Sequence, residues 1–179
     1  MKILYIHGFG SDPNGEKVKK IGEAFPDDEV FAPQHYSTVQ SVLDTVDPIA
    51  KTMDWEDIIV GTSLGGFWTN YFTCKYGSMG VLINPATDPA KTTMKYVGTM
   101  INGVEWTESD SLAYNDVIVK DAIYQKIVLL AEDDDVIPYL AAKQKYEPIA
   151  DVEVFPSGGH RFSDPNSISV IIKSINRLI

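Results

Sequence analysis

The sequence predicts an α/β protein, a three-layer α/β/α sandwich on a mostly parallel, doubly wound sheet of about six strands. Short apolar runs alternate with amphipathic segments along nearly the whole chain, the pattern of strand–helix–strand units. The first run is apolar at successive positions, as expected of a parallel strand that helices cover on both faces. Loops rich in glycine and polar residues follow the runs, and the ligand site of such a sheet lies at the carboxyl ends of its strands.

Length and composition narrow the class of protein. The chain has 179 residues, 44% of them apolar, which suits a single domain over 1–179. Its formal net charge is −10, so we expect no nucleic-acid partner, because backbone phosphates require clustered Lys and Arg. The single cysteine, Cys74, is predicted to be a buried small side chain. No signal peptide or membrane-spanning run is visible, so we expect a cytoplasmic protein without membrane contact.

Five elements are predicted before a central Gly-x-Ser-x-Gly motif. Residues 2–6 are an apolar run followed by a loop of small residues, which indicates the first strand. Apolar residues at helical spacing predict helices over 17–25 and 39–46. A short strand over 30–33 stops at a proline. A further run, 55–60, is predicted as the strand that leads into the motif.

The alternation continues after the motif, with one interruption. Residues 64–76 are predicted as a helix and 80–83 as a buried strand. Residues 87–122 break the rhythm, with one predicted helix over 89–100 and then an irregular polar and aromatic stretch. Regular elements resume as a strand, a helix, a strand and an amphipathic helix, at 126–131, 139–146, 152–155 and from Asp164-Pro165 onward.

The central motif, Gly-x-Ser-x-Gly-Gly at 61–66, lies between an apolar run and a helical segment. This strand–turn–helix context presents a nucleophilic serine on a sharp turn. Ser63 is therefore predicted to adopt a backbone geometry that is strained for a residue with a Cβ atom. Gly61 and Gly65 are predicted where a side chain would collide as the strand folds back onto the helix, and Gly66 where helix and sheet approach closely.

A serine nucleophile needs a base within hydrogen-bond reach, and the sequence contains three histidines. His160 is the candidate base, because it follows the last predicted strand and comes late in the chain, after Ser63. The alternative for His160 is a loop residue that caps the final helix. His7, at the end of the first strand, is predicted to hold the adjacent loop by hydrogen bonds. His35 is predicted to lie at the surface or at the rim of the site.

An acidic run at 132–135 follows a predicted strand, where the acid that orients the base is expected. The spacing from Asp134 to Pro138, with an apolar residue before the proline, favours Asp134, and Asp133 is the second candidate. Other interpretations of the run are a solvated loop and a calcium site, although it lacks the ligand spacing and central glycine of an EF-hand.

The negative charge that develops during acyl transfer needs preorganised donors. The backbone N–H of Leu64 is predicted to be one, because it directly follows the serine at a helix N-terminus. The second is predicted in the loop after the first strand, at the N–H of Phe9. Gly8, beside it, is predicted to leave room for a substrate carbonyl.

Five motifs occur along nearly the whole chain: Leu-Tyr-Ile-His-Gly-Phe at 4–9, Gly-Thr-Ser-Leu-Gly-Gly-Phe at 61–67, Ile-Asn-Pro-Ala at 83–86, Asp-Asp-Val-Ile-Pro-Tyr at 134–139 and Gly-Gly-His-Arg-Phe at 158–162. In this combination and order the chain resembles the small YqiA/YcfP-type esterases of the α/β-hydrolase superfamily. The resemblance implies a minimal α/β-hydrolase fold and hydrolysis of acyl esters or thioesters, with Ser63 as nucleophile, Asp134 as acid and His160 as base.

The chain departs from this family at Pro138, where relatives can carry an acidic residue, and in segment 87–122, which has no close match. We expect this segment to form a small cap. Its candidate lining residues for an acyl pocket are Met94, Tyr96, Met100 and Trp106, and ordinary packing is an equal alternative for each.

The expected partner is a small acyl ester or thioester, and no cofactor or metal is expected. The sequence contains neither a His/Cys ligand cluster nor a phosphate-binding glycine motif. The alternative function is a catalytically silent α/β-hydrolase scaffold that acts as a binding or regulatory protein.

Overall fold

The computed structural model describes residues 1–120, 122 and 124–179, and eight strands lie within them. In chain order these are β1 (Lys2–Ile6), β2 (Glu29–Phe31), β3 (Ile58–Thr62), β4 (Met79–Ile83), β5 (Met100–Ile101), β6 (Val104–Glu105), β7 (Lys126–Ala131) and β8 (Asp151–Phe155). The central sheet has the order β2-β1-β3-β4-β7-β8, and each neighbouring pair is parallel. Strands β5 and β6 form a separate antiparallel hairpin.

The helices of the described residues are α1 (Glu16–Ala24), α2 (Val39–Thr45), α3 (Asp47–Ala50), α4 (Leu64–Tyr76), α5 (Pro89–Met94), α6 (Glu108–Leu112), α7 (Tyr139–Tyr146) and α8 (Pro165–Leu178). A short 3₁₀-helix, Ala113–Asp116, follows α6. Helix α8 begins as predicted, with the side chain of Asp164 accepting from the N–H of Ser167 and proline in the first turn. No helix among the described residues has both the length and the apolar run needed to cross a bilayer.

Helices cover both faces of the sheet, which is the predicted three-layer sandwich. In β3, Ile58 and Val60 face the layer of α1 and α8, whereas Ile59 faces α2, α3 and α4. The register continues these faces across the sheet, because Ile59 pairs with Leu4 of β1 and Val60 with Val81 of β4. Parallel pairing also brings the carboxyl ends of the strands, and the loops that follow them, to one edge.

Strand β3 begins later than predicted. The apolar pattern predicts Trp55 in the strand, but this residue is 72% exposed and lies in a turn. The turn forms because the Asp54 carboxylate accepts from the N–H of Glu56 at 2.9 Å and the Asp54 carbonyl accepts from the N–H of Asp57 at 3.1 Å. These local bonds compete with the extended conformation that the apolar pattern favours.

The predicted helix over 89–100 is wrong in its second half. Helix α5 ends at Met94, turns follow, and Met100 begins the β5–β6 hairpin. Gly98 adopts φ 82°, which ends any helical path, and the hairpin turns at Asn102 and Gly103 with φ 50° and 84°. The N–H of Gly98 donates to the carbonyl of Trp106 at 2.8 Å, so the backbone polar groups of this stretch are paired across the hairpin.

Candidate active site

Ser63 occupies the turn between β3 and α4. Its backbone has φ 58° and ψ −117°, so the predicted strain is confirmed. The N–H of Ser63 donates to the carbonyl of Ile83 at 2.8 Å, which ties the turn to β4. A Cβ atom at Gly61 would lie 2.2 Å from the Gly65 carbonyl oxygen, and one at Gly65 would lie 2.0 Å from the Ile6 carbonyl oxygen. Both positions therefore require glycine, as predicted.

The side chains of Ser63, His160 and Asp134 come from three different loops and are joined by hydrogen bonds. The Nε2 atom of His160 is 2.9 Å from Ser63 Oγ, and its Nδ1 atom is 2.9 Å from each carboxylate oxygen of Asp134. Because a carboxylate only accepts, these partners assign the imidazole proton to Nδ1. The Ser63 hydroxyl then donates to Nε2, an arrangement in which the serine proton can pass to the imidazole.

Asp134 is the more buried member of its pair with His160. Its side chain is 1% exposed, against 18% for His160. The Oδ1 atom of Asp134 also accepts from the N–H groups of Val136 at 2.8 Å and Ile137 at 2.9 Å. Bonds to an ionised acceptor are strong, so this turn fixes the carboxylate that faces the imidazole.

Asp133, the second candidate acid, contacts the backbone of the histidine loop instead. Its Oδ1 atom accepts from the N–H of Gly159 at 2.7 Å. The two neighbouring carboxylates thus hold the same loop, Asp134 through the imidazole of His160 and Asp133 through the residue before it.

Asn84 is a further anchor of this loop, although it is not among the predicted site residues. Its Nδ2 atom donates to the carbonyls of Gly159 at 2.9 Å and His160 at 3.1 Å. Its Oδ1 atom accepts from the N–H of Ala131 at 2.8 Å, so one side chain links the ends of β4 and β7 to the histidine loop. The available signal was an asparagine directly after a buried strand, where its amide can satisfy backbone groups on both sides.

The loop after β1 lies directly beside the serine. A Cβ atom at Gly8 would be 3.5 Å from Ser63 Cβ and 3.3 Å from the carbonyl oxygen of Thr62. Leu64 is the first residue of α4, where the N–H has no acceptor within the helix. Within residues 1–120, 122 and 124–179, the N–H groups of Leu64 and Phe9 make no hydrogen bond.

Two stacked histidines lie beneath this loop. The rings of His7 and His35 are parallel within 3°, with centroids 3.7 Å apart. The Nδ1 atom of His7 donates to the carbonyl of Gly8 at 3.0 Å, and the Nδ1 atom of His35 accepts from the N–H of Ser37 at 3.3 Å. The hydroxyl of Ser37 accepts from the N–H of Gly10 at 3.1 Å, which holds the loop from below.

The prediction for His7 agrees with these contacts, whereas the predicted surface position of His35 is wrong. His35 is fully buried, because its ring packs on His7 under the β1 loop. Burial and the neighbouring His7 lower the pKa of His35 to about 3, and burial also lowers the pKa of His7. Both rings are therefore neutral at pH 7.

A cleft of about 940 Å³ opens above Ser63 and His160. Among the described residues its wall includes Tyr96 from segment 87–122, whose ring stacks on Phe9 with centroids 4.8 Å apart. Trp106 packs edge-on against the same Phe9 ring at 4.7 Å and is 2% exposed, so it lies behind the wall. Met94 and Met100 are not among the described residues that line the cleft, and Met100 is 66% exposed.

Charged groups of both signs surround the cleft. Lys17 of α1 and Arg161 beside the histidine both line it, and burial together with Arg161 lowers the pKa of Lys17 to about 8. The acidic side chains in the lining are Asp12, Glu16 and Asp135. Tyr5, at the floor, lies 3.1 Å from the hydroxyl of Thr62, and burial raises its pKa to about 12, so the phenol stays protonated at neutral pH.

Comparison with known proteins places the chain in a family. The model of UPF0227, described as an uncharacterised protein family, matches residues 2–176. The chain belongs to the UPF0227 family. A UPF0227 protein from Shewanella sp. strain MR-7 is 26% identical over 169 residues, which cover 89% of this chain and 90% of that protein. The resemblance to the YqiA/YcfP type is thereby confirmed.

Solved structures share the fold of this UPF0227 protein. Est1E from Butyrivibrio proteoclasticus, solved with ferulic acid bound, has a TM-score of 0.75 at 14% identity and covers 98% of this chain and 86% of its own. The α/β hydrolase domain-containing protein 10 from mouse has a TM-score of 0.73 at 19% identity, with coverage of 99% and 88%. These likenesses establish the predicted α/β-hydrolase fold.

Proposed function

We propose that this UPF0227 protein is a serine hydrolase that cleaves small carboxylic esters or thioesters. In this proposal Ser63 is the nucleophile, His160 the general base and Asp134 the group that orients the base. The observation that carries the proposal is the continuous set of 2.9 Å hydrogen bonds from the serine hydroxyl through the imidazole to the carboxylate. The strained backbone of Ser63 supports it, because strain at a polar residue in a cleft is typical of functional sites.

Acylation begins when Ser63 Oγ attacks the acyl carbonyl and its proton passes to Nε2 of His160. Asp134 stabilises the imidazolium that forms. The N–H groups of Leu64 and Phe9 bind the oxyanion of the tetrahedral intermediate, and such a donor contributes about 3–4 kcal/mol in comparable enzymes. The intermediate then collapses, the bond to the alcohol or thiol breaks, and the imidazolium proton goes to that leaving group.

Deacylation repeats these steps with water as the nucleophile. His160 takes a proton from water as the oxygen attacks the acyl-enzyme, and the oxyanion again lies at the two backbone N–H groups. The intermediate releases the carboxylic acid, and the proton returns to Ser63. The hydrogen bonds from Asn84 to the histidine loop keep the imidazole in position through both halves of the reaction.

We further propose that residues 1–179 form one cytoplasmic domain in which 87–122 is a small cap over the cleft. Tyr96 and Phe9 form a stacked wall on which the acyl group lies, and Gly8 leaves space for its carbonyl. Trp106 contributes indirectly, because it supports the Phe9 ring from behind.

Labelling with a fluorophosphonate probe, followed by peptide mapping, tests the nucleophile without knowledge of the natural substrate. We expect labelling of the wild type at Ser63 and none in Ser63→Ala. The matched control is Ser163→Ala, which removes another serine of the same cleft and should label like the wild type. Folded wild-type protein that does not label would overturn the proposal and favour a catalytically silent scaffold.

A further inference from the structure

Two positively charged side chains line the cleft above Ser63 without an acidic partner. Within the described part of the chain, Lys17 of α1 and Arg161 of the histidine loop supply the lysine and arginine groups of its lining. Neither side chain makes a hydrogen bond or an ion pair with a described residue. By contrast, Lys20 of the same helix pairs with Glu23 at 2.8 Å. The two cations of the cleft are therefore available to a ligand.

The surroundings of Lys17 are unfavourable for an unpaired ammonium group. Burial and the neighbouring Arg161 lower the pKa of Lys17 to about 8, and attraction by Glu16 opposes them only in part. An amine with this pKa is still mostly protonated at pH 7. Its Nζ atom is not among the buried unpaired polar atoms of the described residues, so the ammonium group remains open to the cleft. Two like charges in a partly desolvated site are stabilised when an anion binds to both.

The acidic side chains of the cleft do not neutralise this pair of cations. Asp12, Glu16 and Asp135 are all exposed, and none forms an ion pair with a described residue. Asp12 accepts from the backbone N–H of Asn14 at 2.8 Å. Because the net charge of the chain is −10, the protein as a whole repels anions. An anionic ligand would therefore depend on the local pair, Lys17 and Arg161.

This pair and the aromatic wall of the cleft belong to layers on opposite faces of the sheet. Phe9 and Tyr96 pack against the core cluster of α2, α3 and α4. Helix α1, which carries Lys17, packs with α8 on the other face, and the phenylalanine after Arg161 lies in the cluster of that layer. Ser63 lies at the edge of the sheet between the two layers. An ester bound at Ser63 therefore has the aromatic wall on one side and the cations on the other.

The chemistry of acyl transfer assigns the leaving group to the cationic side. In the proposed reaction His160 gives its proton to the leaving alcohol or thiol, so that group must lie beside the imidazole. Arg161 directly follows His160, and Lys17 is close enough to Arg161 for its pKa to be affected. The apolar acyl group then lies on Phe9 and Tyr96, away from the cations.

We propose that the leaving alcohol or thiol of the substrate carries an anionic group, a carboxylate or a phosphate, that binds to Lys17 and Arg161. This inference rests on the proposed hydrolase function and specifies its substrate class. A guanidinium group binds such an anion through two parallel N–H donors, and an ammonium group adds a point charge with three donors. Lys17 and Arg161 thus determine specificity, whereas Ser63, His160 and Asp134 perform the reaction.

A matched pair of esters tests the proposal with the full chain. 4-Acetoxybenzoate and 4-acetoxybenzamide have the same acyl group and nearly the same shape, but only the benzoate carries a negative charge on its leaving phenol. We expect Lys17→Gln and Arg161→Gln each to lower the ratio of kcat/KM for the benzoate to kcat/KM for the benzamide by about tenfold. Comparison of each variant with the wild type cancels the different intrinsic reactivities of the esters. An unchanged ratio in both variants would overturn the proposal.

Lys19→Gln is the matched control for the loss of one positive charge. This exposed lysine also belongs to α1 but does not line the cleft, so the ratio should equal that of the wild type. If Lys19→Gln lowered the ratio as much as Lys17→Gln, the anion would be attracted by the general charge of the protein, which contradicts a local site.

A second pair of esters places the charge on the acyl group instead. Monophenyl adipate carries a carboxylate at the far end of its acyl chain, and its terminal amide is the neutral counterpart. The ratio of kcat/KM for these two esters should not fall in Lys17→Gln. A fall of about tenfold would place the anion on the acyl side and overturn the assignment to the leaving group.

Binding to Ser63→Ala separates this inference from the proposed function, because it requires no turnover. By titration calorimetry we expect 4-acetoxybenzoate to bind this variant, with a Kd about tenfold higher when Lys17→Gln is added. Wild-type protein that labels with fluorophosphonate at Ser63 but discriminates between neither pair of esters would contradict the inference alone. Wild-type protein that neither labels nor hydrolyses any of the esters would contradict the proposed function, and the substrate class inferred from it would fall with it.

Discussion

The loops at the carboxyl edge of the sheet and segment 87–122 lie on two sides of one cleft, but different forces hold them in place. The edge loops are fixed by hydrogen bonds to neighbouring strands, such as those from the N–H of Ser63 to the carbonyl of Ile83 and from the N–H of Ala131 to Oδ1 of Asn84. Segment 87–122 is held by aromatic side chains, with Trp106 packed against Phe9 and Tyr114 packed in the core cluster beside α4, where its hydroxyl also donates to the carbonyl of Ser37 at 2.5 Å.

This difference indicates a division of labour within the cleft. Hydrogen bonds from a rigid sheet position reacting groups within a few tenths of an ångström, which acyl transfer requires. Apolar packing tolerates changes of side chain as long as volume is conserved. We therefore expect substitutions at the edge to affect catalysis, and substitutions in the segment to affect stability and substrate affinity.

The largest expected effect is at Asp134. Asp134→Asn keeps an oxygen that can accept from the N–H groups of Val136 and Ile137 but cannot hold His160 in the correct tautomer. We expect kcat for p-nitrophenyl acetate to fall by about 10⁴-fold, with Tm close to that of the wild type. Asp135→Asn is the control, since this exposed neighbour lines the cleft without touching the imidazole. Similar losses in the two variants would contradict the assignment of the acid.

The second prediction concerns the burial of His35 beneath the β1 loop and its effect on the pH dependence of stability. His35 is neutral in the folded protein, with its pKa lowered to about 3, and the unfolded chain binds a proton near pH 6.5. Stability is therefore lost as pH falls from about 6.5 towards 3, and the loss from this group is about 3 kcal/mol at pH 4.

His35→Phe should remove this loss, because the ring no longer titrates. Urea unfolding at pH 7 and pH 4 measures it: the decrease in unfolding free energy between the two pH values should be smaller in the variant by about 3 kcal/mol. Any constant cost from the lost bond to Ser37 cancels in this difference. Equal pH dependence in both proteins would show that His35 is protonated in the folded state.

The third prediction concerns the segment and the indirect role of Trp106. Trp106→Phe retains a ring behind Phe9 but removes the Nε1–H donor to Ser111 Oγ, which is 2.8 Å away. We expect the unfolding free energy to fall by about 1–2 kcal/mol and KM for a small ester to change little. Tyr96→Ala, which opens the wall itself, should raise KM. An increase in KM for Trp106→Phe equal to that for Tyr96→Ala would place Trp106 in contact with substrate.

The same contrast explains what the sequence could predict. The sheet and the Ser63 turn follow from local patterns, namely apolar runs between breakers and a glycine on either side of a serine. The stacking of His35 on His7 and the bonds from Asn84 to His160 join residues 28 and 76 positions apart. A local pattern, such as an asparagine directly after a buried strand, does not identify partners so distant in the sequence. The hairpin did carry a local signal in Asn102-Gly103, but its strands are only two residues each, too short to show alternation.

The smallest expected effect is at this hairpin turn of segment 87–122. Gly103 has φ 84°, so Gly103→Ala should lower the unfolding free energy by about 1 kcal/mol. Gly22→Ala is the matched control, because Gly22 lies within α1 with no atom within 4 Å of an added Cβ, and alanine there should raise stability by about 0.5–1 kcal/mol. Urea unfolding measures both changes.

The same variant tests whether the turn also positions the β1 loop, because Nδ2 of Asn102 donates to the carbonyl of Ser11 in that loop at 3.1 Å. Unchanged kcat for ester hydrolysis by Gly103→Ala would mean that the turn contributes to stability alone. A large loss of kcat would contradict the separation of catalytic and stabilising roles between the edge loops and segment 87–122.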